Sequence, residues 1–290
     1  MKKIKLIAAL MPVVMLIVFC GGCNIFQSRQ AAERPLIQNT YVYDADKDDY
    51  LIGLAAECMQ SSVAITTTIG GEAYAGSGVV IGMSATRTYI ITNNHVVSGE
   101  SLNANLSSIT VKVTQPNIAG TSTATILDRT LTDPTSDLAI IWVAKETSHT
   151  SCKYSVDALK YGQHVLAVGN GLGYGVSVCD GLVSNPLYHL VNYDTSVKPK
   201  KLVFESDVIQ ISAPINSGNS GGGLFDMKAN LIGINTFKAV NAAPGDKSSN
   251  VYADSISFTL PMQHVYDYVD KWNKSQDGKP NPEIITMTKG

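Results

Sequence analysis

No excess of Lys and Arg marks a nucleic-acid surface in this chain: 22 basic residues stand against 24 acidic ones, a formal net charge of −2. No second cluster of Cys, His or acidic residues accompanies Cys20-Gly21-Gly22-Cys23, so that C-x-x-C pair has nothing with which to complete a metal site. There is no glycine-rich phosphate loop, because the run Gly169-Asn170-Gly171-Leu172-Gly173-Tyr174-Gly175 reads more economically as a turn between strands. Internal repeats are missing as well. These absences leave no reason to expect a metal, a nucleotide cofactor or a nucleic-acid partner.

Charge is sparse, 16% of 290 residues against 44% hydrophobic, which lets a chain of this length bury a sizeable core. Val/Ile/Thr runs recur between Gly and Asn turns, the composition of an all-β barrel or sandwich rather than of alternating helices and strands. A helix is expected within 48–59. Strands are expected near 63–69, 78–82, 88–92, 109–114, 123–127 and 138–143, then near 164–169, 176–183, 202–211, 222–225, 230–237 and 255–260. A second helix is expected over Met262 to Trp272.

At the N-terminus, Lys2, Lys3 and Lys5 precede an apolar run from Leu6 to Cys20. That is the pattern of a secretory signal, and it is short for a membrane-spanning helix of about 20 residues. Cys23, preceded by small residues, resembles the acylated cysteine of a bacterial lipoprotein site, although Cys20 stands where Leu is usual; an uncleaved anchor and plain secretion are the alternatives. Removal of residues 1–22 would take away three lysines, leaving 19 basic against 24 acidic residues and a net charge of −5. The polar segment 23–46 reads as a tether from the membrane. Of the remaining cysteines, Cys58, Cys152 and Cys179, at most one pair can bridge, and they read best as small buried hydrophobes.

The most informative stretch is Ser212-Ala213-Pro214-Ile215-Asn216-Ser217-Gly218-Asn219-Ser220-Gly221-Gly222. Acyl transfer needs a hydroxyl thrust out of a tight turn with backbone N–H groups converging where the carbonyl oxygen becomes an oxyanion, and glycine lets the backbone come that close. Ser220 is the candidate nucleophile, and the N–H groups of Gly218 and Ser220 are the candidate oxyanion donors. Upstream, Tyr89-Ile90-Ile91-Thr92 runs into Asn93-Asn94, which places His95 just past a strand end. Asp137 opens a second apolar strand, Leu138 to Val143, where a carboxylate can hold a histidine Nδ1–H away from bulk solvent. Asp133 is the second choice. His149, His164, His189 and His264 have no comparable setting. The order His, Asp, Ser is that of the chymotrypsin-type triad.

Six motifs in this order, Gly76-Ser77-Gly78-Val79-Val80-Ile81, Ile90 to Val97, Asp137-Leu138-Ala139-Ile140, Val165 to Asn170, Asn216 to Gly222 and Ile232 to Thr236, resemble the protease domain of the HtrA/Deg family over residues 60–272. The resemblance implies an all-β, chymotrypsin-like double six-stranded β-barrel with a C-terminal helix. It further implies a serine endopeptidase of misfolded or exported polypeptides, with His95 as general base, Asp137 as its orienting carboxylate and Ser220 as nucleophile. Family members are often trimers, so a homotrimer is carried over as an expectation. The chain departs from the pattern at Gly171 and Gly223, where Pro is common, and the PDZ domain that usually follows is not expected after the helix. A barrel that binds polypeptides without turning them over is the alternative.

The expected organisation is a signal over 1–22, the tether over 23–46, and a protease domain over 47–275. Within that domain barrel one covers 60–144, barrel two 162–260 and the helix 261–273; a polar tail covers 276–290. The pocket for the residue before the scissile bond is expected between Pro214-Ile215-Asn216-Ser217 and Ile234-Asn235-Thr236-Phe237. Ile215, Asn216, Ile234, Asn235 and Thr236 would line it. None of these carries a charge, so small aliphatic side chains should be preferred there. Asn219, lacking a carboxylate, offers nothing for a released N-terminal amine to pair with, so zymogen-type activation is not expected.

Overall fold

Residues 45–98, 109–116, 120–129, 135–146, 148–194, 198–199, 201–241 and 251–290 are described by the structure, a computed structural model. The expected signal, Cys20 and Cys23, most of the tether and Asp133 lie outside the described residues. After a helix α1 (Ala45–Gln60) come β1 (Ser62–Ile69), β2 (Glu72–Met83) and β3 (Arg87–Thr92), a short helix α2 (Asn94–Ser98), then β4 (Ile109–Thr114), β5 (Ser122–Arg129) and β6 (Ala139–Ala144). These strands form a closed six-stranded barrel in the order β1-β2-β3-β6-β5-β4, with β1 paired back to β4.

The second half contains β7 (Lys153–Tyr154), β8 (His164–Gly169), β9 (Ser177–Asp194), β10 (Lys201–Ile211), β11 (Gly223–Phe225), β12 (Asn230–Asn241) and β13 (Val251–Pro261), then helix α3 (Met262–Lys274) and β14 (Thr288–Lys289). The order β11-β8-β9-β10-β13-β12 closes on itself because β11 also pairs with β12. The chain thus adopts the all-β double barrel with a C-terminal helix. β7 and β14 extend the second barrel's sheet beyond β12 in parallel.

Burial explains why several strands show uninterrupted apolar runs. In β3, Ile90 points into the first barrel with Val63, Val80 and Ile141, while Tyr89 and Ile91 point outward into a layer shared with Leu166, Val168, Phe225, Ile234 and Leu260 of the second barrel. In β6, Ile141 and Val143 face inward and Ile140 outward; in β8, Val165 and Ala167 face inward and Leu166 and Val168 outward. A strand buried on both faces has no polar side to alternate with. The inter-barrel layer therefore joins the His95 side of the molecule to the Ser220 side as one apolar body.

Among the described residues, Cys58, Cys152 and Cys179 are free thiols. Burial, with Glu57 adding to it, pushes the Cys58 thiol up to about 12, and burial pushes Cys152 up to about 12 as well. Both sit in the inter-barrel layer, where an unionised thiol is an inert packing group. Cys179 is only partly buried.

The segment after α3, expected as a polar tail, folds back across the first barrel. Trp272 Nε1–H donates to Glu283 C=O at 3.0 Å, and Asn273 forms a reciprocal pair with the backbone of Ile285, each bond 2.9 Å. The Ile285 side chain enters the inter-barrel layer at 2% exposure. Glu283 pairs with Arg87, whose guanidinium lies 4.0 Å above the Trp142 ring. Ile284, Ile285 and Met287, bunched among prolines and polar residues, give no strand or helix periodicity, which is why the sequence reads as a polar tail here. If this segment is part of the core, Ile285→Ala will cost about 2–5 kcal/mol, the usual loss for a buried Ile truncated to Ala. Denaturant unfolding at constant m-value measures this; a loss below about 0.5 kcal/mol, the range of surface substitutions, would show that the segment merely rests on the surface.

Candidate active site

β3 ends at Thr92, and the chain turns through Asn93 into α2, which carries His95 in its first turn. The paired asparagines thus do more than turn: Asn94 opens the short helix, and Asn94 C=O accepts from Ser98 Oγ at 2.7 Å. Asn93, wholly buried, donates through Nδ2 to Asp137 C=O at 2.7 Å and to Thr236 Oγ1 at 3.1 Å, tying the mouth of β6 in one barrel to β12 in the other.

Asp137 sits immediately before β6 and grips His95 twice. Oδ1 accepts the main-chain N–H of His95 at 2.9 Å, and Oδ2 lies 2.6 Å from the ring Nδ1. An ionised carboxylate only accepts hydrogen bonds, so Nδ1 carries a proton and Nε2 is the ring nitrogen able to take another. The Asp137 side chain is 13% exposed and that of His95 36%, so the carboxylate is more shielded than the imidazole.

Ser220 stands in the turn before β11, half-buried, its hydroxyl donating to Thr236 C=O at 3.2 Å. Gly218 has φ +95° and Gly221 φ +84°, backbone that L side chains seldom adopt. A Cβ at Gly218 would collide with the Asn170 carbonyl oxygen, and one at Gly221 with Ser77 C=O and the Thr92 hydroxyl. The turn's carbonyls from Asn216 to Ser220 are all engaged. Ser217 C=O accepts from Leu172 N–H at 2.6 Å, Asn219 N–H donates to Asn216 C=O at 3.0 Å, and Asn219 C=O accepts from Gly222 N–H at 3.0 Å. Gly221 N–H donates to Asn235 C=O at 2.9 Å. Among the described residues, the N–H groups of Gly218 and Ser220 have no protein acceptor. Two unengaged donors in a turn beside a hydroxyl can receive a developing oxyanion.

The structure brings His95 and Asp137 together and places Ser220 next to Thr236, the residue to which Asn93 reaches from the His95 side. Of the expected pocket residues, Ile215, Ile234 and Asn235 are 2%, 0% and 0% exposed. Asn235 spends its side chain on Gly223 C=O and Thr259 Oγ1. Asn216 is exposed, and Thr236 contributes its carbonyl to Ser220. His149, His189 and His264 have ordinary partners. Thr88 Oγ1 lies 2.6 Å from His149 Nδ1, and burial lowers the His149 pKa. Burial lowers that of His264, and the exposed His189 is raised by its hydrogen bond to Asp207. Sequence reasoning missed two residues, Asn93 and Ser77. Ser77 appeared only as the centre of Gly76-Ser77-Gly78, and no local pattern tells that its hydroxyl reaches Gly218.

A trypsin-like peptidase domain model matches residues 76–234. The chain is 33% identical over 199 residues to the serine protease Do-like HtrA of Lactobacillus helveticus, covering 68% of this chain and 42% of the relative. It is 35% identical over 194 residues to the periplasmic serine endoprotease DegP of Salmonella typhimurium, covering 66% of this chain and 34% of the relative. The chain thus spans well under half the length of these curated relatives. In fold it is similar to the active form of the Rv3671c protease of M. tuberculosis, with a TM-score of 0.59 at 21% identity over 81% of this chain and 88% of that one. With a peptidase-domain match over more than half its length and HtrA- and DegP-type serine proteases among its relatives, the chain belongs to the trypsin-like peptidase family, as its HtrA/Deg-type member motifs imply.

Proposed function

We propose that this chain is a serine endopeptidase that cuts misfolded or exported polypeptides outside the cytoplasm, with Ser220 as nucleophile, His95 as general base and Asp137 as orienting carboxylate. The observation that carries the proposal is the double grip of Asp137 on His95, at 2.9 and 2.6 Å, together with a serine turn in which the N–H groups of Gly218 and Ser220 meet no protein acceptor among the described residues. In the reaction the Ser220 hydroxyl leaves the Thr236 carbonyl and gives its proton to His95 Nε2 as Oγ attacks the scissile carbonyl. Asp137 stabilises the imidazolium, and the N–H groups of Gly218 and Ser220 take the negative charge on the former carbonyl oxygen. His95 then returns the proton to the leaving amine, and water repeats the sequence on the acyl-enzyme.

Turnover of an unfolded protein such as casein tests the division of labour. Ser220→Ala and His95→Ala should each reduce cleavage by several orders of magnitude, and Asp137→Asn by about 10⁴ with the fold retained, since the amide would present the wrong imidazole tautomer. Casein cleavage by Ser220→Ala at the wild-type rate would remove this serine from the chemistry.

The same proposal places the domain at a membrane surface through an acylated Cys23, supported by the basic start, the apolar run and the small residues before that cysteine. Made in a bacterium with lipoprotein processing, the protein should then partition with membranes, and Cys23→Ala should accumulate as the larger unprocessed form. Wild-type protein in the soluble fraction with an N-terminus elsewhere would contradict lipid anchoring.

A further inference from the structure

We propose that Ser77 is the positioning residue of the oxyanion site, its hydroxyl holding the Gly218–Asn219 peptide in the orientation that leaves Gly218 N–H facing the reacting carbonyl; this rests on reading Ser220 as the nucleophile. Ser77 lies in β2, in the first barrel, and is wholly buried. Its side-chain oxygen accepts Asn170 N–H at 2.7 Å and donates to Gly218 C=O at 2.6 Å. A serine hydroxyl has a single proton, and Asn170 N–H can only donate, so the proton of Ser77 is committed to Gly218. The residue is itself pinned at both ends of its backbone, its N–H donating to Ser220 C=O at 2.9 Å and its C=O accepting the Thr92 hydroxyl at 2.6 Å.

Four successive carbonyls, those of Ser217, Gly218, Asn219 and Ser220, are therefore each held by a named donor, and Ser77 supplies two of the four. The other two come from Leu172 and Gly222. The Ser77 contacts are the ones that cross between barrels, and the hydroxyl is the side-chain donor in the set. Gly218 is where such a hold matters most. With no Cβ it can rotate φ and ψ freely, and turning its flanking peptides would swing the N–H away from the substrate and a carbonyl towards it. Removing the hydroxyl would leave a buried Gly218 carbonyl and a buried Asn170 N–H without partners, and the glycine would be free to relieve the first by turning. Asn170 begins the turn whose Leu172 N–H holds Ser217 C=O, so the hydroxyl also links the two anchors on either side of Gly218.

The test measures kcat and KM on a fluorogenic peptide cut by the wild type, with Ser220→Ala as the blank. Ser77→Ala should lower kcat by about 10- to 100-fold, short of the 10²–10³ lost when an oxyanion donor itself is removed, with KM within about twofold of wild type. A peptide aldehyde, whose hemiacetal oxygen would occupy the same site, should lose affinity by a similar factor. Binding of the uncut peptide should be the same in Ser220→Ala and in Ser77→Ala/Ser220→Ala, which a general loss of structure would not allow. If Ser77→Ala melts below the assay temperature, Ser77→Cys, with nearly the same shape and a weaker donor, carries the test with a smaller fall in kcat. A folded Ser77→Ala or Ser77→Cys with wild-type kcat would overturn the role of Ser77 and leave that of Ser220 standing. A wild type with no turnover above the Ser220→Ala blank would overturn both.

Discussion

The apolar layer between the two barrels is the constraint on which the rest of this molecule depends. His95 and Asp137 are carried by β3, α2 and β6, and Ser220 by the turn before β11. No single strand spans the two groups. Their relation is set by Tyr89, Ile91, Leu138 and Ile140 packing against Leu166, Val168, Phe225 and Ile234. Close-packed interiors deform little, so a side chain fixed to one barrel keeps its place against the other. The two buried thiols within this layer are held unionised.

Polar contacts then finish what apolar packing begins. Asn93 reaches from the histidine side to Thr236, Thr236 offers its carbonyl to Ser220, and Ser77 reaches from β2 to both Gly218 and Ser220. Each of these is a buried or part-buried hydrogen bond, in surroundings where a missing partner costs more than a present one contributes. Such a network favours one arrangement of the serine turn over its neighbours, which is what preorganised stabilisation of a developing charge requires.

Much of this architecture is legible in the sequence because its causes are local. Runs such as Tyr89 to Thr92 and Leu138 to Val143 have the β-branched composition of buried strands, and the Gly/Asn/Ser cluster at 216–222 can hardly be other than a tight turn. The placement of His95 and Asp137 beside each other follows from their sitting at the ends of strands that pair in register, Thr92 opposite Ala139. What stays hidden depends on distant partners. The Ser77 hydroxyl meets a carbonyl 141 residues away, and Ile285 finds its place in a layer built by strands far earlier in the chain. The expected pocket shows the same limit: Ile234 and Asn235 are near Ser220 in the fold, but strand alternation and a side-chain hydrogen bond turn them into the interior.

Covalent labelling with a fluorophosphonate addresses the central claim most directly, since the probe reacts only where an activated serine, a base and oxyanion donors act together. The account predicts a single modified residue, Ser220, in the folded wild-type protein and no labelling of Ser220→Ala under the same conditions. Labelling of neither protein, or equal labelling of both, would contradict it.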